Sequence, residues 1–261
     1  MKYFDTHTHT NSEPLDLEFD QILQELKQKD MAINIVGCTK EDSELAIKQA
    51  QKDELLYCSI AIHPNDVKKY DLDSTIAWLR QQCLENKNKI LCIGECGLDY
   101  YYDNDEETKT IQQLWFKKQI ELAKELNLTV MMHIRDAHDD ALKIIEEYKG
   151  DNLRWIVHCF TANAHYAKKY QELGCYISIP GIVTFKKSDE LREALKVINL
   201  DKLLTETDAP WLAPVPFRGK TNYPYYVLEI NKYIADFLQI DLEKLNQQLV
   251  NNALKAFNIK C

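Results

Sequence analysis

Two histidines separated by one residue follow the first apolar stretch of the chain, in the segment 5–9 that reads DTHTH. In an extended strand, residues i and i+2 point to the same face, so His7 and His9 can direct both imidazoles at one point. Such a pair could bind a metal ion, although an isolated His-x-His more often decorates a polar strand edge. Further residues at the same place in the fold are needed to identify a metal site.

Polar side chains recur at the ends of the other predicted strands. They are His63 in AIHPND, Glu95 in IGECGLDYY, His133 and Arg135 in MMHIRDAH, His158 in VHCF, and Glu206 and Asp208 in TETDAPWL. A single histidine among apolar neighbours, such as His158, would more often be a hydrogen-bonded core residue than a ligand. Five of the seven histidines nevertheless reach strand ends, and the other two, His138 and His165, fall in helical stretches where we expect surface positions.

The convergence of imidazoles and carboxylates at these strand ends indicates a dinuclear metal site. Such groups would be costly to bury unpaired, whereas two divalent cations bridged by a carboxylate would satisfy them. The predicted ligands are His7, His9 and Asp208 for one ion, His133 and His158 for the other, and Glu95 as the bridge. Glu206, two residues before Asp208, either orients one of these ligands or assists an additional cation.

The elements that must position these residues alternate between strand and helix. Helical patterns such as FDQILQELKQK and TIQQLWFKKQIELAKELN separate short apolar runs. The runs predicted as strands are YFDTH, MAINIVGC, LLYCSIAI, KILCIGE, LTVMMHI, LRWIVHCF, CYISIP and KLLTET. Near-continuous apolar strands are typical of parallel sheets covered by helices. Eight strand–helix units in a chain of 261 residues predict a single α/β domain over residues 1–261, with the fold of a (β/α)8 TIM-type barrel. The rival, a doubly wound open sheet, would be expected to have a glycine-rich phosphate loop, which the sequence lacks.

Composition limits the classes of protein and partner. The net charge of −9 argues against a protein that coats nucleic acid through a diffuse positive surface, so a phosphate substrate would need a local positive centre. The N-terminus lacks the apolar core of a signal peptide and no apolar run reaches the ~18 residues of a membrane span, which predicts a cytoplasmic protein without a membrane partner. We expect a monomer.

The eight cysteines include no C-x-x-C, and Cys38, Cys58, Cys92, Cys159 and Cys175 lie in apolar runs, which predicts reduced, buried thiols.

Six segments in a fixed order carry a family resemblance. DTHTH, GECGLDYY, HIRDAH, HCFTAN, ETDAPWL and PVPFRGKTN together resemble the TatD family of metal-dependent deoxyribonucleases, a branch of the amidohydrolase-like barrels. The resemblance implies hydrolysis of DNA phosphodiesters at a site of two metal ions, in some members three. It assigns metal binding to the six residues selected above. Two positions depart from the pattern: Tyr223 stands where an acidic residue is common, and HCFTAN replaces the more usual HCFTGS. Both bear on the substrate groove, and neither is a proposed ligand.

The predicted reaction is 3′–5′ exonucleolytic cleavage of DNA at single-stranded or frayed ends, through a water activated by Zn²⁺, Mg²⁺ or Mn²⁺. Asp208 is the predicted general base, because it can bind a metal ion and hydrogen-bond the water. His63 is predicted to contact the scissile phosphate or its leaving oxygen, and the alternative is a turn-capping role before Pro64. The other predicted phosphate ligands are Arg135, Arg218 and Lys220, for which the alternative is a solvated surface charge. Tyr100, Tyr101 and Tyr102 are either surfaces on which bases stack or residues that pack in the core or at the rim.

Three alternative functions remain open at this point. An amide or cyclic-imide hydrolase can use a similar metal cluster on the same barrel, but such enzymes often bridge their metals with a carboxylated lysine, where this chain has Glu95. A small-molecule phosphoesterase is a second alternative. The third, a non-catalytic protein that binds metal or nucleic acid, would not need the complete set of ligands.

Overall fold

Eight parallel strands, arranged in the order of the sequence, form one sheet in the computed structural model, which describes residues 1–102 and 104–260. The strands are β1 (Tyr3–Thr8), β2 (Met31–Gly37), β3 (Leu56–Ile60), β4 (Ile90–Asp99), β5 (Thr129–Arg135), β6 (Arg154–Val157), β7 (Tyr176–Ile179) and β8 (Leu203–Thr205). Each strand lies within or overlaps one of the predicted apolar runs. The predicted barrel is therefore confirmed.

Helices cover the outside of this sheet. Those in the described residues are α1 (Phe19–Lys29), α2 (Lys40–Ala50), α3 (Leu72–Glu85), α4 (Glu106–Leu126), α5 (His138–Glu147), α6 (Ala164–Glu172), α7 (Asp189–Leu195), α8 (Val227–Leu238) and α9 (Leu242–Ala256). Several begin with a side-chain cap; the Asp105 carboxylate, for example, accepts a hydrogen bond of 2.9 Å from the Thr108 N–H at the start of α4. Within the described part of the chain, no helix is both long enough and apolar enough to cross a membrane.

Hydrogen bonds between the first and last strands bring the barrel close to closure. The Thr6 hydroxyl donates to the Thr205 carbonyl over 3.0 Å. Just beyond β8, the Asp208 N–H donates to the His7 carbonyl over 3.0 Å, and the His9 N–H donates to the Ala209 carbonyl over 2.7 Å. Because all strands are parallel, their carboxyl ends share one rim, where a barrel carries its functional residues.

The opposite end of the barrel is filled by α9, a helix that the sequence patterns above did not single out. Val250, Ala253 and Phe257 from this C-terminal segment pack against residues that point into the barrel. The Phe257 ring stacks on Phe4 of β1, with 5.4 Å between ring centroids. An apolar plug at the amino ends of the strands leaves the carboxyl ends as the open mouth.

The middle of the barrel is more polar than the near-continuous apolar strands predicted. The Ser59 hydroxyl donates to the Asn34 side-chain carbonyl over 2.9 Å, and the Asn34 amide donates to the Thr6 carbonyl over 3.2 Å. The Thr6 and Ser178 hydroxyls lie 3.1 Å apart. These buried groups satisfy one another, so their burial carries little penalty. They form a hydrogen-bonded layer directly beneath the mouth.

The described cysteines are free thiols, as predicted. Those predicted as buried include Cys58, Cys92 and Cys175, which are buried in the structure. Cys38 and Cys159 are only partly buried, so the prediction of burial was wrong for these two. Both follow strands at the mouth, where chain segments turn outward and side chains next to the site stay accessible.

Candidate metal centre

Glu95 lies between two groups of histidines at the mouth. Its Oε1 is 2.6 Å from His133 Nδ1 and 2.7 Å from His158 Nε2. Its Oε2 is 3.4 Å from His7 Nε2 and 3.7 Å from His9 Nε2. The two oxygens of one carboxylate thus face two separate pairs of imidazoles, which is the place that the sequence assigned to a bridging ligand.

Asp208 joins the first of these groups from the segment after β8. Its Oδ1 lies 3.5 Å from His7 Nε2 and 3.4 Å from His9 Nε2, and those two nitrogens are 3.0 Å apart. Asp208 has a φ of 56°, a left-handed conformation that is uncommon outside glycine and that aspartate tolerates better than most residues. The turn directs the carboxylate back over the barrel, so the three side chains converge on one point.

The donor chemistry of the cluster fits divalent cations. Imidazole nitrogens and carboxylate oxygens are the ligands of Zn²⁺, and Mn²⁺ and Mg²⁺ accept the carboxylates as well. Three groups of described side chains have ligand atoms close enough for one ion: His7 with His9 and Glu95; His7 with His158 and Glu206; and His63 with Glu95 and His133. Lone pairs crowded at these distances repel one another unless protons or cations lie between them. The residues therefore fit a metal cluster.

Charges within the cluster compensate one another in the metal-free chain. Burial favours neutral Glu95, but the charge of His158 and the hydrogen bond from His133 hold the pKa of Glu95 well below its ordinary value. Burial opposes protonation of His158, yet Glu95 and Glu206 hold its pKa well above the ordinary value. For His7, burial and the charge of His158 lower the pKa. Glu95 thus remains anionic, and its charge is offset by protonated His158 in the metal-free chain or by cations when they are bound.

Glu206 contacts the Nδ1 side of His158, opposite the Nε2 that faces Glu95. Its Oε1 accepts a hydrogen bond of 2.7 Å from the Cys159 N–H and lies 3.2 Å from His158 Nδ1. Its Oε2 is buried without a hydrogen-bond partner among the described residues. A proton on His158 Nδ1 would be shared with Glu206, which leaves the Nε2 lone pair directed at the centre. Of the two roles that the sequence left open for Glu206, this geometry favours orientation of a ligand.

Asp99 is a functional candidate that the sequence reasoning missed. It lies at the end of β4, only 1% exposed, with Oδ2 3.1 Å from His133 Nε2 and 3.1 Å from the Asn65 amide nitrogen that donates to it. The His133 ring is therefore held between Glu95 and Asp99. Alternation along a strand could have identified this residue, because residues 95 and 99 share a face.

Asp5, the first residue of DTHTH, was also missed. It is fully buried and accepts hydrogen bonds from the Thr207 N–H over 2.9 Å and the Thr207 hydroxyl over 2.5 Å. Burial raises the pKa of Asp5 well above its ordinary value, although these hydrogen bonds act in the opposite direction. Through these hydrogen bonds, Asp5 links the strand that carries His7 to the segment that carries Asp208.

His63 belongs both to a turn and to the site. Its Nδ1 accepts a hydrogen bond of 3.2 Å from the Asn65 N–H, as expected of a residue that caps the turn at Pro64. Its Nε2 lies 3.5 Å from Glu95 Oε1, and its ring centroid is 4.4 Å from that of His133. Because Nδ1 acts as the acceptor, the proton of a neutral His63 lies on Nε2, which points towards the centre.

Two cavities meet at Glu95 and Asp208, which contribute to the lining of both. The first, here called the arginine lobe, has a volume of about 380 Å³ and is lined also by His133, Ile134, Arg135, His158, Cys159, Thr161, Ile182 and Leu212. The second, here called the tryptophan lobe, has a volume of about 320 Å³ and is lined also by His9, Ser12, Cys38, Asp42, His63, Asn65, Asp66 and Trp211. The metal centre therefore lies at the junction of two differently lined spaces.

The predicted substrate-binding residues differ in whether their side chains lie exposed at this mouth. The Arg135 guanidinium lies 3.7 Å from the ring centroid of Tyr101 and 5.3 Å from that of Tyr102, and both rings are exposed. Tyr100 is different: it is buried, and its hydroxyl donates to Asp140 over 3.3 Å, so of the two alternatives packing holds for this residue. Tyr100 belongs to the main hydrophobic core, and its hydroxyl also accepts a hydrogen bond of 2.9 Å from the Gln113 amide of α4.

Arg218 and Lys220 lie on the exposed loop after β8, and neither contributes to the lining of either lobe. The Arg218 guanidinium instead covers the ring of Phe185, 3.9 Å from its centroid. His165 is exposed, as predicted. His138 is half-buried with Nδ1 3.0 Å from the Tyr170 hydroxyl, so its predicted surface position was wrong.

Comparison with known proteins agrees with this geometry. The model of the family described as TatD related DNase matches residues 4–258. The chain belongs to the TatD family. It is 40% identical over 263 residues to an uncharacterized metal-dependent hydrolase of Mycoplasma genitalium, covering 98% of this chain and 99% of that protein. It is 36% identical over 260 residues to the uncharacterized metal-dependent hydrolase YabD of Bacillus subtilis, covering 98% of this chain and 99% of that protein.

Solved structures give the same result for the fold. The crystal structure of the TatD homologue YJJV from Escherichia coli superposes with a TM-score of 0.91 at 25% identity and covers 99% of each chain. The barrel, the candidate ligands and these relatives together make the TatD-family chain a metal-dependent hydrolase.

Proposed function

We propose that this TatD-family hydrolase cleaves DNA phosphodiester bonds and trims single-stranded or frayed strands from the 3′ end. The observation that carries the proposal is the position of Arg135. This fixed positive charge lines the same cavity as Glu95, His158 and Asp208 and stacks on the exposed ring of Tyr101. A guanidinium beside metal ligands suits a phosphate, and an aromatic face suits an unpaired base.

Two groups of side chains would hold the metal ions, with Glu95 common to both. One group is His7, His9 and Asp208, and the other is His133 and His158. When bound, two divalent cations would lower the pKa of a water molecule and offset negative charge on the phosphate.

Asp208 is the proposed acceptor of the proton of the attacking water. Burial favours its neutral form, but the hydrogen bond from His9 and the charge of His7 hold the pKa of Asp208 below its ordinary value. The carboxylate is therefore ionised near neutral pH, and it borders both lobes. In the hydrolysis the water oxygen bonds to phosphorus, the ester bond to the leaving oxygen breaks, and the leaving oxygen gains a proton.

His63 and Arg135 contribute on opposite sides of this reaction. The Nε2–H of His63 faces the centre from the tryptophan lobe, where it can donate to a non-bridging oxygen of the scissile phosphate. Arg135 can bind a phosphate oxygen from the arginine lobe and hold the strand while the bond breaks. An extended strand that runs through the junction would contact both.

A substrate panel tests the proposal. A labelled single strand, the same strand circularised, a blunt duplex and a cyclic amide are incubated with the protein in Mg²⁺, Mn²⁺ or Zn²⁺, with Glu95→Gln as the inactive control. Ladders that shorten from the 3′ end of the linear strand, with little cleavage of the circle, are expected. Equal cleavage of circle and linear strand would refute end trimming, and hydrolysis of the cyclic amide alone would refute the phosphodiesterase.

A further inference from the structure

We propose that the tryptophan lobe receives the terminal nucleoside of the strand and selects for an end without a terminal phosphate. This inference rests on the proposed end-trimming function and adds a requirement on the chemistry of the end. Because the two lobes share Glu95 and Asp208, a phosphodiester at the centre has one neighbouring nucleotide in each lobe. The continuing strand occupies one of them, and the terminal nucleoside occupies the other.

The charges of the lobes decide which end of the substrate enters which space. The arginine lobe carries the guanidinium of Arg135, which attracts the phosphates of the continuing strand. In the described residues, the tryptophan lobe is lined by the carboxylates of Asp42 and Asp66 and by no lysine or arginine. Asp66 also pairs with Lys69, an exposed side chain outside this lining, so Asp42 contributes the less compensated charge. A terminal phosphate in this lobe would face negative charge at close range, which is unfavourable.

The helix end that borders the tryptophan lobe reinforces this selection. The N-terminus of a helix usually favours an anion. Here the first turn of α2 already carries Glu41 and Asp42, and the Thr39 hydroxyl accepts the Asp42 N–H over 3.1 Å. The Thr39 hydroxyl and the two carboxylates of the first turn therefore make this helix end unfavourable for a ligand phosphate.

Trp211 provides the surface on which the terminal base can stack. Its side chain is 52% exposed, and exposure of so large an apolar group to water is unfavourable for the free protein. One edge is fixed by the candidate ligand His9, with ring centroids 5.1 Å apart and an interplanar angle of 63°. A base stacked on Trp211 would hold its nucleoside next to the centre, and such stacking is largely independent of sequence.

The main test compares 3′ ends on one linear single strand. The full-length protein, with the metal that supports cleavage, is given strands ending in a 3′-hydroxyl or a 3′-phosphate, and a 5′-phosphate serves as the charge-matched substrate control. We expect kcat/KM to fall about tenfold or more for the 3′-phosphate and to be unchanged by the 5′-phosphate. Asp42→Asn should reduce this discrimination, whereas Asp201→Asn, on the exposed segment before β8, should keep it.

A second comparison tests Trp211 with strands that end in a normal or an abasic nucleotide. Wild-type protein should prefer the normal end about tenfold, mainly through KM, and Trp211→Ala should lose the preference. Tyr101→Ala, on the other side of the mouth, should weaken both substrates and keep their ratio. Equal rates on both pairs of ends, with cleavage intact, would overturn this inference and leave the nuclease proposal standing. Absence of cleavage on every strand would overturn both.

Discussion

Replacing Glu206 with glutamine tests how His158 is held ready for a metal ion. Glutamine keeps the size of the side chain and an oxygen that can accept from the Cys159 N–H, but it removes the charge that faces His158 Nδ1 over 3.2 Å. A hydrogen bond to a charged group contributes ~1.5–3 kcal/mol. Since 1.4 kcal/mol is a factor of ten, the metal dissociation constant should rise about ten- to 100-fold, the range usual for partners of metal ligands.

Titration calorimetry of the metal-free protein measures both the affinity and the number of ions bound. Glu206→Gln should bind as many ions as wild type, with the weaker affinity confined to one of them. Asp201→Asn is the matched control, because it removes one carboxylate charge from the exposed segment before β8. It should leave both stability and metal affinity nearly unchanged. Loss of a whole ion in Glu206→Gln would make Glu206 a ligand and refute the orienting role.

Three further predictions concern the substrate, the pH dependence and the core. Arg135→Ala should lower kcat/KM on DNA by about ten- to 100-fold with unchanged metal content, through loss of a charged hydrogen bond; wild-type kinetics would remove Arg135 from the substrate site. Burial lowers the pKa of His138 to about 4, so its neutral form stabilises the fold fully above about pH 6.5 and this contribution is lost as pH falls towards 4. In urea unfolding of metal-free protein, wild type should lose about 2 kcal/mol more than His138→Gln between about pH 7.5 and about pH 5, and equal losses would contradict this. Phe257→Ala should lower the free energy of unfolding by ~3–5 kcal/mol without changing metal content, and a loss below about 1 kcal/mol would show that the plug packs loosely.

The barrel and the six candidate ligands were predictable because both leave local signals. Strands such as β2 and β5 are apolar on both faces, and helical periodicity separates many of them. A histidine or carboxylate at the end of an apolar strand stands out against its neighbours. Since parallel strands end on one rim, the order of the strands was enough to bring His7 and His158 together before any distance was known.

Other parts of the site depend on contacts that the sequence does not specify. Asp5 and Thr207 are 202 positions apart, and nothing local indicates that they pair. The pattern of α9 is that of an amphipathic helix, but it does not specify that Phe257, directly after the helix, contacts Phe4 inside the barrel. Tyr100 and Tyr101 are identical neighbours in sequence, and only the packing around β4 buries one and exposes the other. Loop paths likewise determine that Arg218 covers Phe185.

The most direct test of the account is the metal content of the wild-type protein and of Glu95→Gln, measured by mass spectrometry after saturation and gel filtration. Glu95 is the one carboxylate whose two oxygens face both histidine pairs in the described structure. The account predicts about two ions per chain in the wild type, a lower content in Glu95→Gln with the fold retained by circular dichroism, and loss of DNA cleavage in parallel. Equal metal content in the two proteins, or no bound metal in an active wild type, would contradict it.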